Sequence, residues 1–176
     1  MNETINMILE RRSTRKFKPD MLGRNELDAI INAGIYAPSA MNQQSWDFTV
    51  IRSQEKIDLL NENSKKALAE MNYSNSHDHI FYHAPVVIIV SFHKEAMFPM
   101  ADCSATIQNM LIAAHSLGIG SCWIGGAITY FTTGDRNREF DIPETHKPYF
   151  TIALGYEDYT DANRPARKSG TFRFLE

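Results

Sequence analysis

Apolar positions along the chain fall into runs that switch between helical and extended spacing. Ile5, Ile8, Leu9 and Arg12 lie at i, i+3, i+4 and i+7, the face of a short first helix. Asn2 or Thr4 can cap that helix, and it leads into Arg11-Arg12-Ser13-Thr14-Arg15. Pro19 sets a turn, and Leu27, Ile30 and Ile31 define a second helix from about Arg24, with Gly34 expected as its left-handed C-cap. Residues 53–70 form a polar third helix that turns Ile57, Leu60 and Leu68 inward. The most continuous stripe is Ile107, Met110, Leu111, Ala114 and Leu117, with Asp102 near the start of its helix and Gly118 at its end. A short polar helix is expected over 135–140, stopped at Ile142-Pro143.

Between these helices lie runs with strand character. Residues 48–51 are largely β-branched, and residues 149–156 read as another core strand, ending on Gly155-Tyr156. Pro85 opens Val86-Val87-Ile88-Ile89-Val90, which is apolar on both faces and so predicts a central strand covered from two sides. Residues 121–124 make a short strand that delivers Gly125-Gly126. At the end of the chain, Thr171-Phe172-Arg173-Phe174-Leu175 alternates like a strand. Its two phenylalanines call for an exposed sheet edge, here or on a second subunit.

Length and composition narrow the class. A chain of 176 residues, 43% hydrophobic and 22% charged, is a single globular domain with a sizeable core. Its longest apolar run is too short to span a bilayer, and residues 1–4 lack the start of a signal peptide, so no membrane association and a cytoplasmic location are expected. Cys103 and Cys122 form no CxxC or zinc spacing and read as buried thiols. The net charge of −3 argues against a nucleic-acid binder, yet its distribution is uneven. Residues 1–24 carry six Lys/Arg against three Asp/Glu and residues 164–176 carry four against one, so two ends of +3 flank a body of −9.

That distribution gives the basic cluster two readings. Cations after a helix can cap its last carbonyls, and guanidinium forks beside hydroxyls can clamp the oxygens of a phosphate. The loop Ala37-Pro38-Ser39-Ala40-Met41-Asn42-Gln43-Gln44-Ser45-Trp46 has neither period; it is a plain surface loop or a ligand-lining one. His77, His79 and His83 match no metal-site spacing, and no metal is expected. Gly118-Ile119-Gly120 begins a GxG, but Trp123 occupies the third glycine position and a helix precedes it, so the dinucleotide fingerprint is rejected. Gly125-Gly126 is either a tight turn or a place where a flat ligand approaches the backbone.

Taken in order, these motifs resemble the nitroreductase family of FMN-dependent flavoproteins. The similarity is carried by residues 11–15, Ala37-Pro38-Ser39 with Asn42, Gln44 and Trp46, Ala84-Pro85-Val86-Val87, Gly120-Ser121-Cys122-Trp123-Ile124-Gly125-Gly126 and Leu154-Gly155-Tyr156. It departs where Ser45 stands between Gln44 and Trp46 in place of a frequent proline, and the lid region within 64–82 has no alignable motif. The resemblance implies an α+β three-layer sandwich, a mixed mainly antiparallel sheet flanked by helices, in an intertwined homodimer. It also implies that residues 164–176 pack on the partner subunit. FMN would be held by Arg11, Arg12, Ser13 and Arg15 with Arg167 and Lys168 at its phosphate end. Pro38, Ser39 and Asn42 of the partner, with Ile124, Gly125 and Gly126, would lie along its ring. The implied activity is ping-pong hydride transfer from NADH or NADPH through FMN N5 to a nitroaromatic, quinone or similar small-molecule acceptor, with no catalytic side chain. A flavin storage or sensor protein, or a specialised chemistry such as reductive dehalogenation, are the alternatives.

Overall fold

The computed structural model describes residues 2–73, 77–134, 136–159 and 166–175. Its centre is β2 (Val86–His93), in which residues 86–90 are all fully buried. Successive side chains of a strand point to opposite faces, so this run feeds two cores. Val87 and Ile89 pack with Ile57, Leu60, Phe81 and Phe131; Val86, Ile88, Val90 and Phe92 pack with Leu27, Ile30, Ile107 and Met110. Each such aliphatic side chain contributes roughly 1.5–3 kcal/mol by leaving water, which is why the sheet is covered on both sides.

On one side of β2 lies β1 (Trp46–Ile51), and on the other β4 (His146–Gly155), followed by β3 (Gly120–Ile124), giving the order β1-β2-β4-β3. All three pairings are antiparallel, with a bulge between Val90 and Ser91. Among the described residues the parallel component of the expected mixed sheet is one isolated bridge, Ser13 to Ser121. α3 (Gln54–Glu70) and α5 (Ile128–Thr132) cover the first core, while α2 (Arg24–Ile35) and α4 (Pro99–Ser116) cover the second. The result is the expected α+β three-layer sandwich.

Several local expectations are corrected. Gly34 is not a left-handed cap: α2 continues to Ile35, and a Cβ at Gly34 would stand 2.5 Å from Met110 Cε and 3.0 Å from its Cγ. Glycine is there so that α2 can press against α4. Gly118 does take the left-handed conformation, φ 71°, but Leu117 beside it is exposed and drops out of the stripe. α1 (Glu3–Glu10) is capped by Asn2, whose Oδ1 accepts the Ile5 N–H, and it stops before the basic cluster, so Arg12 is not on its face. The face is also uncovered: Ile5, Ile8 and Leu9 are 42, 47 and 51% exposed.

α5 had no counterpart in the sequence pattern. The helix expected over 135–140 is a single 3-10 turn, Asn137–Phe140, while Asp135 lies outside the described residues. Residues 171–175 are exposed and form no strand; of the 164–176 extension, residues 164, 165 and 176 lie outside the described residues. Among the described residues, no helix is long and apolar enough to cross a membrane.

Candidate functional site

The basic cluster is extended, and it is strapped to the sheet rather than to α1. The Thr14 N–H donates to Ser121 O at 2.9 Å, Lys18 N–H to Tyr156 O at 2.9 Å and Asp158 N–H to Lys16 O at 3.1 Å. Gly120 permits this strap, because a Cβ there would meet Thr14 and Glu157 side chains at 2.7 Å. Thr14 is fully buried with its hydroxyl donating to Glu157 Oε1. In an extended segment alternate residues share a side, so Arg11, Ser13 and Arg15 fall together opposite Thr14. All three interact with Cys122 on β3.

These cations lack the anions that usually accompany them. Among the described residues none of Arg11, Arg12, Arg15, Arg167 and Lys168 forms a salt bridge, whereas Lys16 beside them pairs with Asp158 at 2.9 Å. Arg12 uses Nη1 to cap backbone carbonyls, Leu9 O at 2.6 Å and Arg11 O at 2.7 Å, so the capping reading of the cluster is correct for that one atom. Arg11 Nη1 and Arg12 Nε are buried without a partner. Burial lowers the Arg11 pKa, Cys122 opposes the shift, and Arg12 and Arg167 push it down further. Arg167 of the tail is near enough to Arg11 to add to that lowering, and both Arg167 and Lys168 are exposed. Orphaned buried donors in a patch of like charge are the fit expected for a phosphate group, which takes several charge-assisted hydrogen bonds at once.

Burial raises the pKa of the Cys122 thiol more than Arg15, Ser13 and Arg11 lower it, so it sits in this patch as a neutral thiol. Arg15 lies 5.9 Å from the Tyr82 ring centroid; burial lowers its pKa, but the Tyr82 hydroxyl and Cys122 outweigh that and leave it raised. Tyr82 was not foreseen as a neighbour, since it belongs to the lid region that no motif marks.

Two residues past Cys122 the strand ends on the paired glycines. Ile124 is buried in the core and its carbonyl accepts from Thr151 Oγ1 at 3.2 Å, so it can meet a ligand only through backbone. A Cβ on Gly125 would meet nothing within 4 Å, while one on Gly126 would meet Leu68 Cδ1 at 3.4 Å. Neither has a positive φ, so an open backbone surface, and no left-handed turn, is what glycine provides here.

Pro38, Ser39 and Asn42 lie elsewhere, on a loop at the N-terminal end of α4. Asp102, 5% exposed in the first turn of α4, accepts the Ala40 N–H at 3.0 and 3.2 Å. Met41, Asn42 and Gln44 have φ of 52, 53 and 45°, an unfavourable set for residues with a Cβ at roughly 1 kcal/mol or more each. Within one chain this loop and the basic cluster sit at opposite ends of α4, whose rise from Asp102 to Leu117 is about 22 Å.

Of the three histidines, His79 and His83 stack with ring centroids 4.4 Å apart. His79 Nδ1 accepts the Phe81 and His83 N–H groups at 3.2 and 3.5 Å, a structural use of its lone pair. Among the described residues no group of three or more potential metal ligands is found.

A layered α+β fold with an unpaired cation patch beside an open glycine surface defines the class as a small-ligand-binding sandwich. Comparison makes it specific. Residues 8–156 match the model of the nitroreductase family, and this chain belongs to that family. A nitroreductase of Bacteroides fragilis solved with bound FMN is 34% identical over the full length of both chains, with a TM-score of 0.88. One from Desulfitobacterium hafniense, also with bound FMN, is 30% identical over both full chains at a TM-score of 0.90. A relative from Methanothermobacter thermautotrophicus, 33% identical over 96% of this chain and 81% of its own, carries a provisional name as an NADH dehydrogenase/NAD(P)H nitroreductase.

Proposed function

We propose that this chain is an FMN-dependent oxidoreductase. It takes electrons from NADH or NADPH and passes them to a small oxidised acceptor, such as a nitroaromatic or a quinone, as a cytoplasmic homodimer. The observation that carries this reading is the pair of orphaned buried donors Arg11 Nη1 and Arg12 Nε in a patch of arginines that form no salt bridge among the described residues. The fit with relatives solved holding FMN supports it.

The chemistry that FMN supplies when bound is two-electron transfer from nicotinamide and then to the acceptor. The chain's own residues bind and orient. Arg11, Arg12, Ser13, Arg15 and Arg167, with Lys168, hold the phosphate end, and the neutral Cys122 thiol adds no charge against it. Gly125 and Gly126 let a flat ring lie on the backbone, and the fixed N–H dipoles there favour negative charge that develops on it. Ile124 contributes backbone alone. Pro38, Ser39 and Asn42 would line the ring from the second subunit, in keeping with their separation from the cluster within one chain. No side chain is assigned as a general acid; solvent delivers the proton.

The test is to identify the chromophore released on denaturation and to mix anaerobic holoprotein with NADH and with NADPH in a stopped-flow instrument. FMN release and bleaching of the flavin band by at least one donor are expected. A yellow protein that neither donor bleaches is a storage or sensor protein instead, and a colourless one that takes up no FMN ends the reading altogether.

A further inference from the structure

We propose that Asp102 is the positioning residue that holds loop 39–44 in its ring-facing shape, an inference whose flavin arm rests on the function proposed above. The loop is suspended between two fixed points. Ala37 is buried and its N–H donates to Gly34 O at 3.0 Å, and Ala40 is tied to Asp102 by both carboxylate oxygens. Pro38 is exposed and Ser39 half-buried between them, so the segment bows outward.

Beyond Ala40 the chain takes three left-handed residues in four, which the loop's own bonds fix only in part. Ser39 Oγ accepts the Gln44 N–H at 3.0 Å, Gln44 Nε2 donates to Asn42 Oδ1 at 3.0 Å, and Gln43 Oε1 accepts the Met97 N–H at 3.0 Å. All of these are exposed and compete with water. Asp102 is the brace that reaches the loop from the core. It stands in the first turn of α4, at the helix end where an acidic side chain is favoured by the dipole. The helix dipole already favours exposed carboxylates, so serving the helix end does not by itself require burial. Burial makes sense for a group that must also deliver a strong, water-free bond to one particular amide.

The experiment compares wild type with Asp102→Asn and Asp102→Leu. Asn keeps one acceptor oxygen for Ala40, whereas Leu keeps volume and removes the acceptor. Three properties are read: exchange of the Ala40 amide in the flavin-free protein, the visible circular dichroism of bound flavin, and dissociation constants for FMN and riboflavin. For Asp102→Leu, rapid Ala40 exchange, an altered flavin dichroism and about tenfold weaker binding of both ligands are expected, with the FMN to riboflavin ratio unchanged. Asp102→Asn should stay within about threefold of wild type.

Wild-type Ala40 exchange in folded Asp102→Leu, or an unchanged flavin signature, overturns the proposal. Should the Leu variant not fold, Ala40→Pro removes the donor from the loop side. Ser39 is already extended, φ −132° and ψ 149°, as a residue before proline must be. A native flavin signature in that variant would equally overturn the brace. Wild-type protein that binds no flavin defeats the proposed function alone, and the Ala40 exchange rate still decides for or against the brace.

Discussion

Arg11 and Arg12 are neighbours of the same type, yet the structure gives them different work. Arg12 spends Nη1 on the carbonyls of Leu9 and Arg11, so its loss should loosen the exit from α1 as well as the ligand site. Arg11 keeps a buried Nη1 without a partner and is crowded by Arg12 and Arg167. Arg11→Ala should therefore act on the phosphate alone. Charge-assisted hydrogen bonds of about 1.5–3 kcal/mol imply a loss of FMN affinity on the order of 10- to 100-fold, with riboflavin changed less than about threefold. Titrating both ligands against the apoprotein checks it, and equal losses would mean that Arg11 is structural. The cluster's residue types were enough to suggest an anion clamp. That the cluster is strapped to β3 was not legible, because the strap depends on a bridge between Ser13 and Ser121, more than a hundred residues apart.

At the scale of elements, the turn over 77–83 is the piece whose stability depends most directly on a proton. Tyr82 and His83 both have φ of 55°, and His79 Nδ1 holds the turn by accepting two backbone N–H groups. Burial is the main cause that lowers the His79 pKa and His83 adds to it, against Asp58 on α3 and Asp78, which raise it. A histidine depressed in the folded state stays neutral there while the unfolded chain takes up a proton below about pH 6.5. Its contribution is therefore complete above that pH and is lost as the pH falls. Urea midpoints taken from about pH 7.5 down to about pH 5.5 should decline in wild type and decline less in His79→Asn, whose Oδ1 can replace Nδ1 without titrating. Parallel curves would count against the assignment. The same scale shows what a one-dimensional pattern can reveal. Residues 86–90 announced a central strand because burial on both faces leaves no polar position. α5 was invisible, because Ile128-Thr129-Tyr130-Phe131-Thr132 has poor helix formers and is helical only through the burial of Tyr130 and Phe131. Gly34 was misread for a related reason: a glycine near a helix end looks like a cap until the crossing with α4 is known.

At the scale of the molecule, apolar side chains among the described residues stay exposed in several places, three of them bearing on assembly. They are the α1 face of Ile5, Ile8 and Leu9, the Met97, Phe98 and Met100 segment beside the loop braced by Asp102, and Phe172, Phe174 and Leu175 on the tail. β1 is an edge strand, and beside it a groove of about 380 Å³ is lined by Leu27, Ile31, Phe48 and Val50 between Arg24 and Arg52. An alternating segment needs such an edge, and residues 171–175 form no strand on their own chain, which supports the partner's tail as the occupant. Phe172 and Phe174 would then enter the groove while Arg167, on the same tail, stays with the cluster of its own chain. Removing residues 169–176 should raise the dimer dissociation constant at least about a hundredfold, since each tail withdraws two phenylalanines worth roughly 1.5–3 kcal/mol apiece, less the cost of ordering them. Bound flavin should fall with it under the function proposed above, in which Pro38, Ser39 and Asn42 line the ring from the second subunit. Sedimentation equilibrium with flavin absorbance reads both quantities in one experiment. A truncated chain that remains dimeric and fully loaded would place the tail outside the interface and leave the β1 groove without its occupant.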